Sequence, residues 1–125
     1  MKFANIFVFQ GVDGNDDQVS DPINAQFMLA CTYWIANFGN DNLDGTFTLQ
    51  ASNQTDEDVR ASGGTREWVD IPNSSIVMNP AVTGFPWSLS DQVSTSYAYV
   101  RLKWTNSAGA PGDYLIFAYL KGSYF

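Results

Sequence analysis

Residues 97–104 form the stretch YAYVRLKW, which decides the fold of this chain. Two sets of side chains alternate along it: Ala98, Val100, Leu102 and Trp104 interleave with Tyr97, Tyr99, Arg101 and Lys103. A period of two puts each set on its own face of a β-strand. We therefore predict that the face with Trp104 is buried, and that the tyrosine face is either wet or covered by a partner.

The same pattern extends to other stretches. Phe47, Leu49 and Ala51 alternate with polar residues over 46–52, whereas residues 114–121 carry apolar side chains on both faces. Residues 25–36 also fit a helix, but Thr32-Tyr33-Trp34-Ile35 favours a strand. Turns rich in glycine, asparagine and proline separate these runs. The predicted strands are 3–10, 26–36, 46–52, 67–71, 75–78, 86–90, 97–104 and 114–121, and the polar segment 53–66 is predicted to be a mobile loop.

These strands predict an all-β fold: a single antiparallel two-sheet β-sandwich, jelly-roll-like, with about eight strands. The chain has 125 residues, so one domain over 1–125 accounts for its length. No apolar run approaches the roughly 20 residues of a membrane span. Phe3 to Phe9 lack a small-residue cleavage site, so we interpret them as a strand of a protein folded in a cytoplasm.

Charge and chemistry narrow the possible functions. The net charge of −7 disfavours nucleic acid as a partner. The sequence has no histidine, which excludes Ser-His-Asp and Cys-His catalytic sets and most zinc sites. The lone Cys31 lies in an apolar run and is interpreted as a buried thiol. We predict that the protein is not an enzyme and needs no cofactor.

One weak calcium candidate is present. Asp13, Asn15 and Asp17 follow the alternating oxygen pattern that opens a calcium loop. The pattern then fails, because Gln18 replaces the glycine and Asn24 takes the place of the bidentate glutamate. A plain turn is therefore the favoured interpretation, and no metal site is predicted.

The aromatic residues suggest an interface. Core packing is expected for most of the four tryptophans, but a two-layer sandwich covers only one face of each sheet. Apolar groups on both faces of the last strands, together with apolar termini, predict contact with a partner. The interface candidates are Phe7, Phe9, Tyr97, Tyr99, Tyr124 and Phe125.

The order of these segments resembles a known class of proteins. Ser20-Asp21-Pro22-Ile23 is followed by a strand to Trp34, then by GTFTLQASN at 45–53, WVDI at 68–71, YVRLKWTN at 99–106, a glycine-rich turn, and a last strand ending at Lys121-Gly122. This order resembles small β-sandwich structural proteins of bacteriophage virions, the capsid decoration, cement, spike or fibre type. Residues 19–122 carry the similarity.

The resemblance implies a virion structural protein, assembled in the host cytoplasm, that binds the capsid, other virion proteins and copies of itself. A capsid decoration or minor capsid protein is the expected role. The segment FTLQASN followed by a tryptophan is also similar to discoidin and galactose-binding-like sandwiches, which bind glycans or surfaces. A carbohydrate-binding or adhesive module, with a glycan as partner, is therefore the alternative. Those families commonly carry disulfides or bound calcium.

Overall fold

The computed structural model describes residues 2–78, 87–88, 93–94 and 97–125. Within them the chain forms eleven strands and one short helix. The elements are β1 Lys2–Val12, β2 Gln18–Val19, β3 Ile23–Asn24, β4 Met28–Asn37, β5 Gly45–Ser52, α1 Asp56–Ser62, β6 Val69–Asp70, β7 Ile76–Met78, β8 Trp87–Ser88, β9 Val93–Ser94, β10 Tyr99–Asn106 and β11 Ile116–Tyr124.

Two antiparallel sheets pack together as a sandwich. Sheet 1 has the order β1-β11-β4, with β8 and β9 both pairing with β4 on its far side. Sheet 2 has β10 and β5 at its centre, flanked by β2 and β3 on the β10 side and by β6 and β7 on the β5 side. The two-strand sets β2 and β3, β6 and β7, and β8 and β9 each lie along one neighbouring strand. Each set therefore occupies one strand position, and the eleven strands fill eight positions. The chain crosses between sheets in the order of a jelly roll, which confirms the predicted fold class.

The inner faces of the two sheets form the core. Alternation in β5 and β10 is confirmed, since Phe47, Leu49, Val100, Leu102 and Trp104 have no exposed surface. Sheet 1 contributes the other half of this layer: Phe9, Cys31, Tyr33, Ile35, Ile116, Ala118 and Leu120. Burial raises the pKa of the Cys31 thiol to about 11, so Cys31 is the inert buried thiol that the sequence predicts.

A buried tyrosine ties the sheets together. Tyr33 of β4 crosses the core and donates its hydroxyl to the carbonyls of Ser74, at 2.8 Å, and Phe47, at 3.2 Å. Ser74 in turn fills the gap between β6 and β7, where its hydroxyl accepts the Leu49 amide at 3.1 Å and donates to the Ile71 carbonyl at 2.6 Å. These contacts satisfy backbone groups that the interrupted edge strand leaves unpaired.

Two β-bulges set which side chains of β1 reach the core. Phe7 lies opposite Tyr119 but Phe9 lies opposite Ala118, so Val8 is an extra residue in the ladder. The bulge turns Phe9 inward, where it is 3% exposed, while Phe7 points outward and is 56% exposed. Gly11, with φ of 68°, forms the second irregularity.

The structure confirms some of the predicted elements and corrects others. Residues 28–37 are a strand, as Thr32 to Ile35 indicate. The prediction of a loop over 53–66 is wrong for Asp56–Ser62, which form α1 between a Thr55 capping box and a left-handed Gly63. The two-residue strands β2, β3 and β9 were not predicted, and the predicted strand 86–90 lies partly outside the described residues.

Candidate binding surface

The outer face of sheet 1 carries a row of aromatic side chains across its three long strands. Phe7 of β1, Tyr119 of β11 and Trp34 of β4 are direct cross-strand neighbours. The Trp34 and Tyr119 rings stack with centroids 5.2 Å apart and planes 18° apart. Phe7 meets Tyr119 edge to face at 5.7 Å. Such contacts fix the row as a rigid unit.

A second pair of rings extends this row. Phe38 and Phe117 pack edge to face with centroids 5.3 Å apart. On the other side, Lys121 holds its ammonium 5.7 Å from the centroid of Phe3. We call this surface the aromatic face; its members are Phe3, Phe7, Trp34, Phe38, Phe117 and Tyr119. Three of them, Phe3, Phe7 and Phe38, are more than half exposed, which is unusual for a cluster of large apolar side chains.

The aromatic face also differs in charge from the rest of the molecule. The chain carries thirteen carboxylates, yet β1, β4 and β11 contain no aspartate or glutamate. Lys2 and Lys121 are the charged residues of these strands. An acidic protein thus presents an apolar, weakly cationic sheet face, and depletion of charge with enrichment of aromatics is typical of interface cores.

The polar side chains on the outer face of sheet 2 form hydrogen bonds with one another. Arg101 donates Nε to the side-chain oxygen of Gln50 at 2.9 Å, and Gln50 donates to Asp70 at 2.9 Å. The Gln50 hydrogen bond, followed by the charge of Lys103 3.4 Å away, lowers the pKa of Asp70. Arg101 also lies 4.2 Å from the centroid of the Trp68 ring. These contacts pair the polar groups of this face with one another.

The interface candidates from the sequence are distributed over several surfaces. Phe7 lies on the aromatic face and Phe9 in the core. Tyr99 lies on sheet 2, where its hydroxyl donates to Asp56 at 3.1 Å and the Arg66 guanidinium lies 4.1 Å from its ring centroid. Tyr97 and Tyr124 are half-buried against the core at the end of the sandwich that also holds Phe125, which is 89% exposed.

That end of the sandwich contains a strained turn. Phe27 has a φ of 65°, a left-handed conformation that bulky residues rarely adopt, and its side chain is 76% exposed. Its carbonyl accepts the Phe125 amide at 2.8 Å, which holds Phe125 beside the turn.

Relief of this strain is expected to stabilise the protein. A left-handed conformation costs a residue other than glycine roughly 1–2 kcal/mol, and glycine removes this cost. Part of the gain is offset, because glycine also increases the conformational entropy of the unfolded chain. Phe27→Gly should therefore raise the free energy of unfolding by about 0.5–1 kcal/mol, measured by urea denaturation. The matched control is Val77→Gly, since Val77 is 66% exposed without positive φ. This control should lose stability; a loss in both variants would contradict strain at Phe27.

The calcium candidates hold loops together. Asp13 accepts the Asn15 amide at 3.0 Å, and Asp17 accepts the Asn106 amide at 2.7 Å. Asn15 pairs with both backbone groups of Gly112, at 2.8 and 2.9 Å. Asp13 also accepts the side-chain amide of Asn15 at 2.7 Å, so two of the candidates bond to each other, while Asn15 and Asp17 reach Gly112 and Asn106. Within the described part of the chain, acidic, histidine and cysteine residues form no group of three that could hold a metal ion.

Sequence reasoning missed the centre of the aromatic face. The sequence predicts core packing for most of the four tryptophans without saying which, and Trp34 lies half-buried on the outside of β4. A signal was present, because residues 114–121 carry apolar side chains on both faces and Tyr119 belongs to them. Only the strand order β1-β11-β4 shows that Phe7, Tyr119 and Trp34 are neighbours.

Comparisons with protein-family models, curated proteins and solved structures find no match for this chain. No helix among the described residues has the length and apolar character needed to cross a bilayer.

Proposed function

We propose that this chain is a non-enzymatic structural protein of a virion, a capsid decoration or minor capsid protein that binds an assembled protein shell. The aromatic face is the observation that carries the proposal, because three exposed phenylalanines on an outer sheet face are costly without a partner. The jelly-roll sandwich is a fold shared by viral capsid domains. The sequence resemblance to bacteriophage virion sandwiches supplies the kind of particle.

A protein partner fits the geometry of the rings better than a glycan does. A sugar stacks on the open face of an aromatic ring. Trp34 and Tyr119 instead turn one ring face toward each other across the strands, with only 18° between their planes. The cluster thus forms a continuous apolar surface of ring edges and phenylalanine side chains, of the kind that protein interfaces bury at their centres.

The distribution of charge agrees with this role. Carboxylates are absent from the three strands that carry the aromatic face, so docking there buries no unpaired acid. Asp13 and Asp41 lie in exposed acidic loops. Their negative charge favours solubility of a protein that forms the outer layer of a particle. Nucleic acid stays disfavoured as a partner because of the net charge of −7.

Co-sedimentation with particles tests the proposal. Virions assembled without this chain are mixed with the purified protein, and the bound fraction is measured after pelleting. The wild type is expected to bind, and the double variant Phe7→Ser with Phe38→Ser is expected to bind at least tenfold more weakly. Both side chains are more than half exposed, so the variant should keep its fold.

The matched control replaces two equally exposed apolar residues on sheet 2, Val69→Ser with Val77→Ser. This variant should bind like the wild type. Equal loss in both double variants would point to nonspecific stickiness and contradict docking through the aromatic face. Binding of a glycan by the isolated wild type, without binding to particles, would replace the proposal by the adhesive alternative.

A further inference from the structure

The outer edge of β1 is an unpaired strand edge. β1 is the terminal strand of sheet 1, and among the described residues it pairs only with β11. In an antiparallel ladder, every second residue of such an edge turns its amide and carbonyl away from the sheet. These groups are hydrogen-bonding partners for another extended chain.

Native proteins usually protect such an edge, and within the described residues the first part of β1 lacks most of the usual protection. β1 runs for eleven residues, and its segment Lys2–Phe7 contains no proline, no carboxylate and no irregularity. The first bulge comes at Val8. Lys2 is the only charge of β1, at its beginning. A long, regular and apolar edge strand is a template for pairing.

We infer that two copies of this chain pair antiparallel through residues 3–7 of β1, about a two-fold axis at Asn5, to form one continuous sheet. The inference does not need the virion proposal, because it starts from the unpaired backbone edge of sheet 1 and uses Phe3 and Phe7 of the aromatic face only to set the register. The bulge at Val8 ends the regular segment and so limits the pairing to these five residues.

The segment is complementary to itself in this register. Phe3 of one copy lies opposite Phe7 of the other, and both are exposed on the outer face of sheet 1. Ala4 lies opposite Ile6 on the inner side, where both are half-buried. Directly opposed aromatic and aliphatic pairs are the stabilising unit of antiparallel sheets. The two Lys2 ammonium groups fall at opposite ends of the paired segment and do not meet.

A second copy is favoured over a foreign strand by charge as well. The chain has a net charge of −7, but the paired segment carries no acid, so two copies meet here without like charges in contact. Pairing also joins the two aromatic faces side by side, because a two-fold axis perpendicular to the sheet keeps both outer faces on the same side. The product presents one aromatic surface twice as wide.

Cysteine cross-linking tests the register in the purified full chain. Asn5→Cys puts two thiols directly opposite each other, and oxidation or a short bis-maleimide should give a covalent dimer. The matched control is Gln10→Cys, on the same exposed strand but beyond Val8, which should stay monomeric on denaturing gels. Cys31 is 1% exposed, so the wild type serves as the blank. Cross-linking of Gln10→Cys as efficient as that of Asn5→Cys would overturn the register.

Charge variants test the pairing without cross-linking. Asn5→Lys and Asn5→Glu each place like charges at the two-fold axis, so sedimentation equilibrium should show dimer dissociation constants at least tenfold higher than that of the wild type. A mixture of the two variants should form heterodimers. Dimers retained by each variant alone, or a wild type that is monomeric at millimolar concentration, would overturn the inference. A wild type that forms this dimer but does not bind particles would instead count against the aromatic face and leave the pairing of β1 intact.

Discussion

Replacement of Trp104 by alanine is expected to lower the free energy of unfolding by about 3–5 kcal/mol. Trp104 has no exposed surface, and its ring packs against Phe47 with centroids 4.5 Å apart. Its indole Nε1 donates to the Gly14 carbonyl at 2.8 Å. The substitution therefore opens a cavity between the sheets and also releases the loop after β1. A loss of this size is a large share of the roughly 5–15 kcal/mol available to a domain.

The control for this experiment is Trp68→Ala, which removes the same side chain from the outer face of sheet 2. Trp68 is half-buried and contacts Arg101, so its loss should cost about 1 kcal/mol. Urea denaturation followed by circular dichroism measures both variants. Similar losses at Trp68 and Trp104 would contradict the assignment of Trp104 to the centre of the core.

The core could be predicted because its signal is local. In β5 and β10 the inward residues recur at every second position, and no neighbouring strand is needed to see them. The bulge at Val8 is different, since an extra residue in β1 is visible only against its partner β11. Strict alternation would put Phe7 and Phe9 on one face, whereas the structure puts them on opposite faces.

The helix α1 was missed for another physical reason. Its capping box, Thr55 with Asp58, is visible in the sequence, but none of its residues is buried. A short helix without an apolar stripe gives no hydrophobic period. Its stability comes from capping and from Arg66, which forms an ion pair with Asp56 at 2.5 Å and hydrogen-bonds to the Gln54 carbonyl.

The candidate surface was only partly predictable. Apolar side chains on both faces of residues 114–121 are a signal in the sequence, and Phe7 is an interface candidate that the structure places on this surface. Tyr97 and Tyr99 alternate with buried residues, but β10 begins at Tyr99, so Tyr97 packs against the end of the core instead. Which aromatic residues share a face depends on strand order, and long-range pairing cannot be obtained from a local pattern.

The second large effect is expected at Gly45, the first residue of β5. A Cβ at this position would press into the carbonyl oxygen of Thr105 and would lie 2.6 Å from the Trp104 ring. Gly45 pairs with Asn106 of β10 and Met78 of β7, so neither backbone can withdraw easily. Gly45→Ala is expected to lower the free energy of unfolding by about 3 kcal/mol, at the upper end of overpacking costs.

Two further variants serve as the control for this prediction and as a test of which contact causes the loss of stability. Gly109→Ala adds the same methyl group where no atom lies within 4 Å, and its unfolding transition should match that of the wild type. Gly45→Ala combined with Trp104→Phe removes the ring clash but keeps the contact with the Thr105 carbonyl. If the backbone contact dominates, Gly45→Ala lowers the free energy of unfolding of the Trp104→Phe variant by nearly as much as it lowers that of the wild type. Full compensation in the double variant would show that the ring alone demands glycine, and that β5 and β10 can separate enough to admit a side chain.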